Sequence, residues 1–193
     1  MGIDIRQVGP EALGRYARVP IRFTVEAVLD VIPADGGLGG LRLVERAAGK
    51  PYLKDYDACA WGVMSWAERF DVSRWLFLLA SDGDEPVGGA TVASRSPNVT
   101  MLAGRDDLAV LWDLRVHPDR RREGIGTRLF ERAAGWAGRQ GCKQLKIETQ
   151  NVNVPACRFY RARGCQLGAI DRYGYAADPR VAHEAMLIWH LEL

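Results

Sequence analysis

The sequence predicts a single mixed α/β domain, and three observations carry that prediction. The chain has 193 residues and 21.4 kDa, a length that suits one domain and would cramp two. Hydrophobic residues make up 48% and charged residues 26%, which are ordinary globular values and exclude a disordered chain. The hydrophobic pattern is β-rich in the first half and then reads β-α-β-α-β-β, with no internal repeat, no linker and no second core.

The elements follow in order. Ile3, Ile5 and Val8 mark a short opening strand. Residues 23–29 alternate through Phe23, Val25, Ala27 and Leu29 and read as a strand. Pro33 and the run Gly36-Gly37-Leu38-Gly39-Gly40 break it; no helix pattern follows, so the run is a loop, not a phosphate cradle. Residues 41–44 are a candidate strand. Over 60–70 the spacing of Trp61, Met64 and Ala67 is helical. Residues 75–80 form a buried strand, Asp82-Gly83-Asp84 a turn, and 87–93 the returning strand of a hairpin. Residues 101–107 fit either a long hairpin loop or more strand.

The second half is more regular. Residues 108–116 are a strand stopped by Pro118. Residues 125–136 form an amphipathic helix, with Ile125, Leu129, Ala133 and Trp136 on one face and Gly138 and Gly141 closing it. A strand over 145–149 precedes a helix over 154–163, which has Pro155 in its first turn and Gly164 as its stop. Residues 167–175 and 185–193 are the last strands.

Mean hydropathy is −0.15, and no apolar run approaches the ~20 residues of a membrane-spanning helix. The first ten residues carry no signal-peptide pattern. Cys59, Cys142, Cys157 and Cys165 match neither a CxxC pair nor a zinc pattern; they read as reduced thiols, which points to the cytoplasm. The net charge is only +2, so any anion site is local. Glycine is the outlier, at 21 of 193 residues or about 11% against a usual ~7%.

Some of those glycines carry chemistry. The stretch Arg120-Arg121-Arg122-Glu123-Gly124-Ile125-Gly126-Thr127 joins a strand to a helix. Gly124 and Gly126 clear side chains from the backbone where a ligand must approach, and the first helical N–H groups then face an anion. Six arginines (115, 120, 121, 122, 128 and 132) crowd this region against Asp119, Glu123 and Glu131. A glycine-softened turn beside a solvated charge run is the bland reading of the same string. A Walker loop is excluded because Thr127-Arg128 follows Gly126, and a dinucleotide fingerprint because Leu129 stands where its third glycine belongs.

Downstream come Asn153-Val154-Pro155-Ala156-Cys157-Arg158-Phe159-Tyr160 and then Arg161-Ala162-Arg163-Gly164. Together with Arg121-x-x-Gly124-x-Gly126, this resembles the GNAT superfamily of acyl-CoA-dependent N-acyltransferases, over about residues 75–193. The resemblance implies a GNAT fold: a mostly antiparallel central sheet, flanking helices and one splayed pair of parallel strands. A narrower resemblance, to streptothricin acetyltransferases, rests on three stretches. They are Glu148-Thr149-Gln150-Asn151-x-Asn153 running into the second motif, Pro51-Tyr52-Leu53-Lys54-Asp55-Tyr56, and Trp112-Asp113-Leu114-Arg115-Val116. Trp112 departs from the acid often found at its position.

The resemblance implies acetyl-CoA as co-substrate and no metal. It assigns the pyrophosphate to Arg121, Arg122, Gly124, Ile125, Gly126 and Thr127, with Glu123, Asn153 and Tyr160 also on the cofactor side. It assigns the pantetheine to the backbone of Leu114, Arg115 and Val116, with the Leu114 N–H as oxyanion donor. Tyr160 matches the family's tyrosine, and a phenol of pKa ~10 is protonated at neutral pH and can serve the leaving thiolate as an acid. A buried core aromatic is the alternative for Tyr160. Asp113 and Glu148 are candidate bases, each also able simply to attract a cation. Trp112 and Asp113 point to opposite faces of their strand, and Asp113 is the one expected to face substrate. Acceptor contacts are expected from Tyr52, Asp55, Tyr56 and Trp112, with Asp57, Trp61 and Trp66 nearby in sequence.

The expected activity is acetyl transfer to a primary amine of a small cationic acceptor, streptothricin-type in the sharper form. Residues 1–70 would form the acceptor side and 75–193 the acetyl-CoA side of one domain. A protein lysine or N-terminus is the rival acceptor, and an acyl-CoA sensor without turnover is the rival class. No nucleic-acid module accompanies the arginines, no membrane partner is expected, and the C-terminal strands offer an edge for a homodimer as well as a monomer.

Overall fold

A computed structural model describes residues 2–58 and 62–193. Along the chain lie β1 (Asp4–Val8), α1 (Leu13–Tyr16), β2 (Arg22–Pro33), β3 (Leu41–Asp55), α2 (Trp66–Arg69), β4 (Leu76–Asp82), β5 (Glu85–Ser94), β6 (Leu108–Val116), α3 (Ile125–Arg139), β7 (Gln144–Gln150), α4 (Val154–Ala162), β8 (Gln166–Asp171) and β9 (Met186–Glu192). The fold is mixed α/β, mostly antiparallel with one parallel pair and flanking helices, as the sequence predicts.

The differences are local. β3 runs eleven residues past the expected strand over 41–44, ending at Asp55. The helix expected over 60–70 is a 3-10 turn (Val63–Ser65) leading into the four-residue α2; its start at Ala60 and Trp61, like Cys59, lies outside the described residues. The 101–107 stretch holds a 3-10 turn, Thr100–Leu102, closed by Ala103 at φ 51°. α3 runs through Gly138 to Arg139, and β8 stops at Asp171, short of 175.

The chain divides into two compact units, Met1–Phe23 with Asp55–Lys146 and Glu192–Leu193, and Thr24–Lys54 with Ile147–Leu191. Each takes residues from both the 1–70 and the 75–193 portions. In the first unit, strands β1, β4, β5 and β6 neighbour one another in that order, each pair antiparallel. The register between β5 and β6 shifts once: Thr91 faces Asp113 and Val92 faces Leu111, leaving Trp112 as the extra residue of a bulge. One apolar cluster includes Leu13, Tyr16, Trp66, Trp75, Phe77 and Val110, and each such side chain contributes about 1.5–3 kcal/mol when fully buried. Gly89 makes room for it, since a Cβ there would lie 2.3 Å from the Tyr16 ring. α3 buries Ile125, Leu129, Phe130, Ala133 and Ala137. Arg128 and Arg132 on its polar side donate to the carbonyls of Ile3 and Ile5, which tie the helix to the segment of β1.

In the second unit, β2 and β3 form a two-stranded ribbon, and β9 lies between β7 and β8. β8 and β9 pair antiparallel with a shift near Gly168. α4 starts where the Asn153 side chain accepts from the Ala156 N–H at 3.2 Å and Pro155 sits in the first turn. It buries Val154, Cys157 and Tyr160, and Gly164 follows at φ 83°. Asn151, 6% exposed, stitches this unit: its amide donates to the Leu29 carbonyl at 3.0 Å and accepts from the Ala185 N–H at 2.8 Å.

Candidate active site

The loop expected to hold an anion ends at Gly124, the residue before α3, which stands at φ 80° where a side chain is strained, and no side chain caps the helix. Arg122 also takes a left-handed conformation, at φ 72°. The arginines divide in a way the sequence reading missed. Arg120 pairs with Asp82 at 3.1 Å and with Glu123 at 3.0 Å. Arg121 donates to the carbonyls of Val116 and Arg22, and partial burial lowers its pKa. Arg115, Arg128 and Arg132 are likewise engaged. Among the described residues, Arg122 is the arginine of this run left exposed and unpartnered. Glu123 therefore serves as a brace for Arg120, and the cationic patch expected from six arginines reduces to Arg122, the half-used Arg121 and the uncapped end of α3. That combination fits a pyrophosphate.

Asp113 corrects an expectation. Its carboxylate is 8% exposed and takes both Arg115 Nε and Nη2 at 2.8 Å, while the Tyr16 hydroxyl donates to it at 2.7 Å. Arg115, 3% exposed, also donates to the Val19 carbonyl at 2.9 Å and to Asp57 at 3.0 Å, and lies 5.2 Å from the Tyr16 ring centroid. Burial alone would lower the Arg115 pKa, but the Asp113 charge outweighs it and the guanidinium is held more firmly protonated than usual. Burial and the adjacent Asp113 charge push the Tyr16 phenol well up. Asp113 thus faces a buried ion pair and not open space.

The other acceptor-side residues of this unit also have internal partners. Trp112, half-buried, packs on Phe70 and Trp75 with ring centroids 5.0 and 5.3 Å away. Asp57 accepts from the Ile21 N–H at 3.0 Å, so it is not a free anion for an amine. Asp55 accepts from the Asp57 N–H at 3.0 Å. Tyr56 sits against Phe23 at 5.7 Å. Trp66 is 5% exposed and meets Tyr16 edge-on. His117 accepts from the Asp119 N–H through Nδ1 and caps the turn Pro118–Arg120.

In the second unit, Glu148 and Gln150 share the less buried face of β7, opposite Ile147 and Thr149. Glu148 accepts a hydrogen bond from the Tyr175 hydroxyl at 2.7 Å, and Gln150 donates to the same hydroxyl at 2.8 Å. Tyr160, 7% exposed, stands on α4 with Phe159 edge-on at 5.4 Å. Asn153 is the cap of that helix. Tyr52, 40% exposed, lies on the rim of a cavity of about 200 Å³ also lined by Asp30, Arg46, Lys50, Asn151 and His183. Partial burial and the charge of Glu184 raise the Tyr52 pKa. Glu184, 2% exposed, pairs with Lys54 at 2.5 Å. Burial pushes the Cys165 thiol up to about 11 and raises Cys157 as well; these are packing thiols. Among the described residues no group of three or more His, Cys, Asp or Glu side chains could hold a metal.

The model of the acetyltransferase (GNAT) family matches residues 42–165. The chain belongs to the GNAT acetyltransferase family. It is an acyl-CoA-dependent N-acetyltransferase. It is 28% identical to a streptothricin acetyltransferase of Escherichia coli over 94% of this chain and 91% of that one. It is 29% identical to streptothricin acetyltransferase A of Bacillus subtilis (strain 168), over 76% of each. The crystal structure of nourseothricin acetyltransferase superposes with a TM-score of 0.78 at 23% identity, covering 100% of this chain and 99% of that one.

With the family established, two GNAT residues stand out that sequence reading passed over. Tyr16 and Tyr175 each hold one of the two candidate carboxylates. Tyr16 is 97 residues from its partner, and no local pattern marks such a contact. The pair Gly88-Gly89 was a usable signal for it, since glycine inside a strand marks a close approach.

Proposed function

We propose that this acetyltransferase moves the acetyl group of acetyl-CoA to a primary amine of a small cationic acceptor of the streptothricin type, by direct transfer without an acyl-enzyme. The observation that carries the cofactor half is the uncapped start of α3, preceded by Gly124 at φ 80° and flanked by the exposed Arg122. The acceptor half is supported by the likeness to streptothricin acetyltransferases over most of the chain.

In this reading Arg121, Arg122 and the backbone of residues 123–127 bind the pyrophosphate, and the backbone of Leu114, Arg115 and Val116 on β6 lies along the pantetheine. The Leu114 N–H stabilises the oxyanion. Glu148 takes the proton that the acceptor ammonium must lose before its nitrogen bonds to the acetyl carbon. Tyr160 gives its phenolic proton to the sulfur as the carbon–sulfur bond breaks. Tyr52, Asp55, Tyr56 and Trp112 belong to the acceptor side, Trp112 by shaping the bulge of β6. Asp113 takes no proton here; its carboxylate holds Arg115.

The test is thiol release on mixing acetyl-CoA with streptothricin, polyamines, aminoglycosides and peptides. Release is expected with streptothricin. Tight CoA binding with no release for any amine contradicts the reading and favours a sensor. Tyr160→Phe is expected to lower kcat by about a hundredfold and to leave CoA affinity within about twofold; unchanged kcat removes Tyr160 from the acid role.

A further inference from the structure

β8 and β9 are joined by residues 172–185, a stretch the proposed mechanism leaves unused. It is anchored at its far end, where Glu184 pairs with Lys54 and the Ala185 N–H donates to Asn151. In its middle Asp178 and Arg180 satisfy each other at 2.7 Å. Near its start Tyr173 is 71% exposed, whereas Tyr175, two residues on, turns inward and is half-buried.

The hydrogen bonds at Tyr175 have a fixed direction. Glu148 and Gln150 are two residues apart on one face of β7, so their side chains bracket the phenol. The amide nitrogen of Gln150 can only donate, so the phenol oxygen is the acceptor at 2.8 Å. The single phenolic proton then points to Glu148 Oε1 at 2.7 Å. A hydrogen bond to a carboxylate is short and about twice as strong as one between neutral groups. It restricts the rotation of the Glu148 side chain.

We propose that Tyr175 is the positioning residue for the acceptor: through Gln150 and Glu148 it fixes the carboxylate that receives the ammonium proton, and so sets how the acceptor amine is presented. The proposal rests on the reading of Glu148 as proton acceptor. Tyr175 acts through Glu148, so removing its hydroxyl reduces use of the acceptor and leaves use of acetyl-CoA alone. A misplacement of the carboxylate by about 1 Å costs up to a hundredfold in rate.

The experiment is a double-mutant cycle with Tyr175→Phe and Glu148→Gln, following acetyl transfer to streptothricin with each substrate varied in turn. Tyr175→Phe keeps the ring, and a thermal midpoint near that of the unsubstituted chain confirms folding. The expected result is a drop of about ten- to a hundredfold in kcat/KM for the acceptor, an acetyl-CoA KM within about twofold, and almost no further loss when the substitution is made in the Glu148→Gln background. If Glu148→Gln abolishes turnover while Tyr175→Phe behaves as the unsubstituted chain, the Tyr175 proposal fails and the Glu148 reading survives. If Tyr175→Phe raises the acetyl-CoA KM as much as the acceptor KM, or costs the same in both backgrounds, Tyr175 does not act through Glu148 and the proposal is overturned. If Glu148→Gln alone keeps full turnover, it is the Glu148 reading that fails first.

Discussion

Asp113 on β6 and Glu148 on β7 look alike in the sequence, each an acid on a strand of the predicted sheet, yet their surroundings differ in kind. Asp113 is 8% exposed and lies against a guanidinium whose donors are spread over Asp113, Asp57 and a carbonyl. Glu148 is half-buried and bound to a neutral phenol. The first carboxylate has its charge balanced inside the protein. The second is held in place with no guanidinium in that hydrogen bond. The buried counter-charge gives Asp113 a structural role, and the proposed function assigns the proton transfer to Glu148.

The largest expected effect breaks the Asp113 side of the comparison. Arg115→Met leaves Asp113 buried without its counter-charge and should lower the unfolding free energy by about 3–5 kcal/mol, read from denaturant unfolding. Adding Asp113→Leu removes the stranded charge as well, and most of that loss should return, since apolar replacement of a whole buried pair is often close to neutral. A double variant no more stable than Arg115→Met alone shows that the pair does more than balance charge.

Smaller in stability but larger in chemistry is Glu148→Gln. It is isosteric and half-buried, so unfolding should change by less than about 1 kcal/mol, while kcat/KM for the acceptor should fall by about a hundredfold or more. Gly124→Ala comes next. The added Cβ meets open space, but φ 80° is strained for alanine, so a cost of about 1 kcal/mol in stability should come with a weaker grip on acetyl-CoA, measured as KM. The smallest effect belongs to an exposed pair: Arg158→Ala removes its bridge to Glu45 at 2.7 Å and should cost between about 0 and 1 kcal/mol.

The sequence made the order of elements legible in the second half, where periodicity is clean: β6 lies over 108–116 as expected and α4 starts at Val154. The ribbon strand β3 was not legible past 44. Nearly all of it is exposed or half-exposed, so no alternation of buried and polar residues is imposed on it. The shape of the glycine loop before α3 was legible because glycine at positive φ and a helix start are local properties. The partners of its arginines were not: Arg121 reaches Arg22, Arg128 reaches Ile3, and Arg120 reaches Asp82, contacts that only the folded chain creates. The different surroundings of Asp113 and Glu148 depend on Tyr16, Arg115 and Tyr175 in the same way.

The most direct test of the account compares Asp113→Asn with Glu148→Gln, measuring acetyl transfer to streptothricin per folded molecule, with the folded fraction set by circular dichroism. The account predicts that Asp113→Asn lowers stability but keeps turnover per folded molecule within about threefold, while Glu148→Gln stays folded and loses about a hundredfold. The reverse pattern, with Glu148→Gln active and folded Asp113→Asn dead, contradicts it.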